Sequence, residues 1–190
     1  MFARRHTAPL VPPARAAAAL LAGPAAGCGS RPGGDAASGP VAPVAWADLD
    51  ALRAALDERR GTPVLLNFWA TWCGPCVEEL PDLARLARET DGTVALLGVS
   101  FDGWVTGNGP ATEKKVKGFL AVAGATYPNL IYRGDQDPVL EAFDLSGAIP
   151  YSILYDGEGR VVERWDGQVE PAVLRRSIAG LAPAGRPAGR

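Results

Sequence analysis

The chain has 190 residues, 47% hydrophobic and 21% charged, with a formal net charge of −2, three cysteines and one histidine. About 135 of them have a globular composition, enough for one domain with a core of its own. The mild acidity and the lack of a basic stripe exclude a nucleic-acid partner. With His6 confined to the extreme N-terminus, the remainder is also excluded from a Ser-His-Asp triad, a Cys-His protease pair and histidine metal ligation.

Residues 1–28 read as an export signal. Arg4 and Arg5 form a positive start, residues 16–23 form a short apolar core, and Ala25-Ala26-Gly27 leads to Cys28. The segment is too short and too broken by proline to span a membrane. Residues 29–45 are Gly, Pro, Ala and Ser with little else, the composition of a flexible tether without core-forming content. The domain is expected from Trp46 to Leu181, and residues 182–190 read as a disordered tail.

Leu49, Leu52 and Leu56 recur at helical spacing, with Asp48 as N-cap, and Gly61-Thr62-Pro63 ends that helix. Residues 64–69, Val-Leu-Leu-Asn-Phe-Trp, are apolar on both faces except at Asn67, as in a central strand covered on both sides. An amphipathic run over 77–88 turns Leu80, Leu83, Ala84 and Ala87 inward, with Pro81 expected to kink it. A second buried strand is expected over 93–101 and a Gly-rich surface loop over 102–110. Val116, Phe119, Leu120 and Ala123 mark a helix, 127–132 a short strand, and Asp137-Pro138 a helix start ahead of Val139, Leu140 and Phe143. Residues 151–155 and 160–165, joined by Asp156-Gly157-Glu158-Gly159, predict a hairpin, and Leu174, Ile178 and Leu181 a closing helix.

The pair Cys73-Gly74-Pro75-Cys76 falls where the central strand hands over to the amphipathic helix. A helix N-terminus supplies unpaired N–H groups and a positive dipole end, which favour a thiolate at Cys73. Pro75 sits in the first turn, where a missing N–H costs nothing, and Cys76 follows one turn on, within reach of a disulfide. A zinc site would need two further Cys or His ligands, and only Cys28 and His6 exist. A purely structural disulfide stays open, although the strand–CxxC–helix setting favours redox work.

Residues 68–76, Phe-Trp-Ala-Thr-Trp-Cys-Gly-Pro-Cys, resemble the active-site segment of thioredoxins. With Glu79 and Pro81 the stretch resembles the W-C-x-P-C-x-x-E-x-P pattern of the membrane-anchored TlpA/ResA-like branch, and the likeness extends over about residues 46–181. The resemblance implies an α/β thioredoxin fold: a central mixed β-sheet flanked by helices, with a central insertion at 102–145 and a terminal β-hairpin. It implies an exported thiol-disulfide oxidoreductase with Cys73 as nucleophile and Cys76 as resolving thiol, acting as a reductant without cofactor or metal. Ile149-Pro150 resembles the cis-proline loop that faces the active site, with Trp72, Gly74 and Pro75 at the rim. Thioredoxins carry an acid where Asn67 stands, and Asn cannot titrate, so Glu79 becomes the candidate proton acceptor for Cys76, while Glu78 reads as a solvated neighbour. Trp104 and Phe101 are candidates for either an apolar substrate patch or packing. The end of the signal resembles that of a lipoprotein, with Cys28 lipidated, although Ala25 replaces the usual leucine. The implied partners are a disulfide-containing protein such as apocytochrome c, a membrane thiol donor of the DsbD/CcdA type, and the membrane itself through the lipid.

Two other readings share the fold. A peroxiredoxin expects Thr three residues before its cysteine, where Ala70 stands and Thr71 is one position late. A copper-assembly protein expects C-x-x-x-C and a distant His, and this chain has C-x-x-C and only His6.

Overall fold

The computed structural model describes residues 42–181. The signal, Cys28, most of the tether and the tail at 182–190 lie outside them.

Six strands form one mixed sheet, in the spatial order β1 (Val44–Ala47), β4 (Asn129–Tyr132), β3 (Ala95–Ser100), β2 (Val64–Trp69), β5 (Tyr151–Tyr155) and β6 (Val161–Asp166). The order follows from burial. Strand β2 (Val64–Trp69) is buried at every position and sits at the centre, parallel to β3 (Ala95–Ser100) and antiparallel to β5 (Tyr151–Tyr155). Strand β6 (Val161–Asp166) alternates exposed and half-buried residues and lies at one edge, completing the expected hairpin. At the other edge lies β1 (Val44–Ala47), parallel to β4 (Asn129–Tyr132). The first strand was not foreseen: it begins inside the stretch read as tether, where Ala42 is already buried, because four residues carry too little periodicity to stand out. Strand β4 lies between β1 and β3, so the central insertion widens the sheet rather than standing outside it.

Helix α1 (Leu49–Asp57) starts as expected, with the Asp48 carboxylate accepting from Ala51 N at 2.9 Å. Helix α2 (Gly74–Glu89) begins at the cysteine pair and runs on through Pro81. Where a surface loop was expected, α3 (Asp102–Thr106) forms instead, with Asp102 and Gly103 buried. An added Cβ at Gly103 would lie 2.5 Å from the Tyr132 carbonyl, so this glycine serves close packing rather than a flexible turn. Helix α4 (Pro110–Ala123) buries Val116 and Leu120. Helix α5 (Gln136–Phe143) starts earlier than expected: Asp135 is its cap and Asp137 lies inside its first turn. Helix α6 (Pro171–Ala179) closes the fold over Leu174.

The period-two alternation of β2 divides the core. Leu65 and Trp69 pack with Leu80, Leu83 and Ala84 of α2 and with residues of α4 and α6. Val64, Leu66 and Phe68 pack with Leu52 of α1 and with Val139 and Phe143 of α5. Asn67 shares the parity of Leu65 and Trp69 and therefore points beneath α2.

Candidate active site

Cys73 is the N-cap of α2, in extended backbone conformation, and its Sγ accepts from Cys76 N at 3.3 Å. A thiolate at this atom faces the unpaired N–H groups of a helix whose first turn carries no acid. The two cysteines are joined as a disulfide. Cys76 is fully buried at 0% exposure and Cys73 keeps 7%, so Cys73 is the sulfur an incoming partner can reach. Pro75 occupies the first turn, and an added Cβ at Gly74 would meet nothing within 4 Å, so the dipeptide leaves the approach to the cysteines open.

The Ile149–Pro150 bond is cis, and the Ile149 carbonyl lies 3.5 Å from Cys73 Sγ. Ile149 is half-buried beside the disulfide and Pro150 is buried. The Pro150 carbonyl accepts from Gly167 N at 2.9 Å, tying this loop to the end of β6. Trp72 is 47% exposed next to Cys73 and forms the apolar rim. Trp104 and Phe101 are packing residues rather than a substrate patch: their rings stack at 4.0 Å, Phe101 is buried, and Trp104 Nε1 donates to Gly134 O.

Beneath Cys76 lies a polar row. Across the sheet, Ser152, Asn67, Gly98 and Asn129 occupy one level on β5, β2, β3 and β4. Asn67 Nδ2 donates to Glu79 Oε1 at 2.8 Å and to Ser152 Oγ at 3.1 Å. Gly98 has no side chain because the Asn129 amide occupies that space: an added Cβ would lie 1.9 Å from Asn129 Oδ1. That same oxygen accepts from Trp69 Nε1 at 3.0 Å.

Glu79 follows Cys76 by three residues on the buried face of α2 and is only 4% exposed. Burial pushes its carboxyl up to about 7, against the pull of hydrogen bonds from the Asn67 amide and the Val169 N–H. It can therefore hold or release a proton near neutral pH, which Asn67 cannot. Glu78 is exposed, as expected. Tyr127 is buried close enough for the Glu79 charge to act on its phenol, which desolvation chiefly raises above the ordinary range. Neither its hydroxyl nor Asn67 Oδ1 has a hydrogen-bond partner among the described residues.

Asp102 is fully buried and accepts from Thr71 N, two residues before Cys73, at 2.9 Å, from the Thr71 hydroxyl, and from Ser100 Oγ at 2.7 Å. The Thr71 hydroxyl is thus directed at Asp102 and not at Cys73, which removes the feature nearest to a peroxiredoxin threonine. Sequence reasoning placed Asp102 in a surface loop. The available signal was an acid two residues beyond Ser100, at the end of a buried strand paired with the one that carries the cysteines.

Residues 40–179 match the AhpC/TSA family. The chain belongs to that family. Its relatives include the thiol-disulfide oxidoreductase ResA of Geobacillus kaustophilus, 32% identical over 138 residues, covering 72% of each chain. The thioredoxin-like protein YneN of Bacillus subtilis is 36% identical over 83 residues, which span 44% of this chain and 46% of that protein. Among solved structures, the exposed lipoprotein thioredoxin Etrx1 of Streptococcus pneumoniae aligns with a TM-score of 0.51 and 28% identity, covering 66% of this chain and 90% of that one. The chain is a ResA-like thiol-disulfide oxidoreductase of the thioredoxin superfamily, and the fold expected from its sequence is the fold it has.

Proposed function

We propose that this oxidoreductase is an exported, lipid-anchored reductant of specific protein disulfides. The observation that carries the reading is the pairing of a reachable Cys73 at a helix N-terminus with a buried Cys76 one turn above a carboxyl poised near neutral. In the dithiol form the Cys73 thiolate attacks one sulfur of a substrate disulfide. A Cys73–substrate disulfide forms, and the other substrate sulfur leaves as a thiolate that takes a proton from solvent. Cys76 then loses its proton to Glu79 and attacks Cys73 Sγ. The Cys73–Cys76 bond forms and the second substrate thiol is released, taking a proton. Two electrons have passed to the substrate. Trp72, Ile149 and Pro150 seat the substrate chain beside Cys73, with the Ile149 backbone available to pair with it.

Export is supported by the basic start, short apolar core and small residues before Cys28, and by the likeness to an exposed pneumococcal lipoprotein. Among the described residues no helix is long and apolar enough to cross a membrane, and the anchor proposed is a lipid on Cys28. An apocytochrome c awaiting haem attachment fits as substrate, because its paired cysteines must be reduced in an oxidising compartment. A membrane thiol carrier of the DsbD/CcdA type fits as electron source. Gly74-Pro75 is the dipeptide of thioredoxin, whose potential lies near −270 mV, so a value between about −220 and −280 mV is expected. Equilibration against glutathione buffers with alkylation of free thiols measures it, and a potential above about −160 mV would make the protein an oxidant and end the reductase reading. Fractionation of wild type and Cys28→Ala tests the anchor: a wild-type chain already soluble in its host refutes it.

A further inference from the structure

We infer that Asp102, contributed by the insertion, is a positioning residue for Cys73, acting through Thr71. The β2–β3 ladder ends with Phe101 N donating to Trp69 O at 2.9 Å. Beyond Trp69 the chain leaves the sheet to reach α2, and the Thr71 N–H has no strand to pair with. The Asp102 carboxylate takes over there. Its two oxygens receive the Thr71 N–H and the Thr71 hydroxyl, while Ser100 Oγ steadies it from behind. Asp102 is in turn fixed at its backbone, where its N–H donates to Ser100 Oγ at 3.1 Å and its carbonyl accepts from Thr106 Oγ1 at 2.8 Å. Two residues after Thr71 comes Cys73, whose N–H donates to Ala70 O at 3.2 Å. The segment that carries the nucleophile is therefore held on one side by α2 and on the other by a buried carboxylate from α3.

The hold matters unequally in the two redox states. In the disulfide, the covalent bond to Cys76 itself locates Cys73. In the dithiol that bond is gone, and Cys73 Sγ stays over the helix N-terminus only through the backbone on either side. Weakening the Thr71–Asp102 contact therefore disfavours the ordered thiolate more than the disulfide.

The experiment uses Asp102→Asn, Thr71→Val and Thr71→Ser, with Val139→Ala on α5 as a destabilised control that removes no hydrogen bond to Thr71. Asn at 102 turns an amide donor toward groups that are themselves donors, Val at 71 removes the hydroxyl, and Ser at 71 retains it. Two quantities are read: the rate of Cys73 alkylation by iodoacetamide in the reduced protein at one pH, and the equilibrium constant with glutathione. Asp102→Asn and Thr71→Val are expected to slow alkylation about fivefold and to shift the equilibrium toward the disulfide by about threefold or more, the scale of one lost hydrogen bond. Thr71→Ser and Val139→Ala are expected to stay within about twofold of wild type. Wild-type values in Thr71→Val, or an equal change in Val139→Ala, would overturn the inference. Should Asp102→Asn fail to fold, the Thr71→Val and Thr71→Ser pair decides. The inference rests on the thiol–disulfide chemistry and not on the direction of electron flow, so an oxidising wild-type potential would refute the reductase reading and leave this comparison intact.

Discussion

Replacing Glu79 by Gln tests whether the carboxyl beneath Cys76 carries a mobile proton. In the folded protein burial raises this group from 4.5 to about 7, so the native state binds its proton more tightly than the unfolded chain does. The sign follows. Below pH 4.5 both states are protonated and nothing is lost. As pH rises from 4.5 to 7 the unfolded chain ionises first, and native stability falls; above 7 the loss is complete and level. The shift corresponds to about 3 kcal/mol, a large share of the 5–15 kcal/mol typical of a domain. Gln keeps the shape and can still accept from Asn67, but it does not titrate. Urea denaturation of the oxidised proteins from pH 4 to 8 is the assay, because every other titrating group is common to both chains and cancels in the difference. Relative to wild type, Glu79→Gln is expected to gain about 3 kcal/mol over that range. A difference constant within about 0.5 kcal/mol would show that Glu79 ionises as it does in water, and would remove it as the proton acceptor for Cys76.

Asn67→Asp places a second carboxyl against Glu79, where the amide now donates at 2.8 Å. The two acids are expected to share one proton, with one titration pushed above that of wild-type Glu79, and NMR titration of the labelled carboxyls should resolve two coupled steps; two independent, unshifted carboxyls would contradict the geometry. Cys76→Ser is expected to accumulate mixed disulfides through Cys73 in the native host, whereas Cys73→Ala accumulates none, and equal trapping by the two variants would reverse the assigned roles.

The central strand and the cysteine helix were legible because each obeys a strong local rule. Residues 64–69 form an apolar run broken only at Asn67, and Cys73-Gly74-Pro75-Cys76 opens an amphipathic helix at the position where Pro belongs. The cis bond before Pro150 was legible only through resemblance, since no local rule distinguishes it from a trans turn. What escaped was set by tertiary partners. Asp102 in a Gly-rich stretch has the composition of a loop, and only Thr71 and Ser100, brought up by the parallel pairing of β2 and β3, make it a buried acceptor. The Asp135 cap displaced the expected Asp137 because Asp, Gln and Asp all tolerate a first turn, leaving packing of Val139 and Phe143 to choose the frame. Strand β1 has an existence that depends on β4, whose position beside it no pattern within residues 44–47 encodes.

The insertion between β3 and β5 therefore belongs to the active site. Its helix α3 supplies the carboxylate that holds Thr71. Its strand β4 brings Asn129, which crosses above Gly98 to take the Trp69 indole N–H and so fixes the last residue of β2 before the chain turns toward Cys73. The segment before β4 brings Tyr127 close enough for the Glu79 charge to act on its phenol. Each contact reaches a different part of the same strand–loop–helix unit: the end of the strand, the loop, and the carboxyl under the helix. A C-x-x-C at the head of a helix is enough to exchange disulfides. The backbone that leads into Cys73 is held by groups that only the folded insertion delivers, so substitutions at Asp102 and Asn129 should alter the redox chemistry without touching either sulfur.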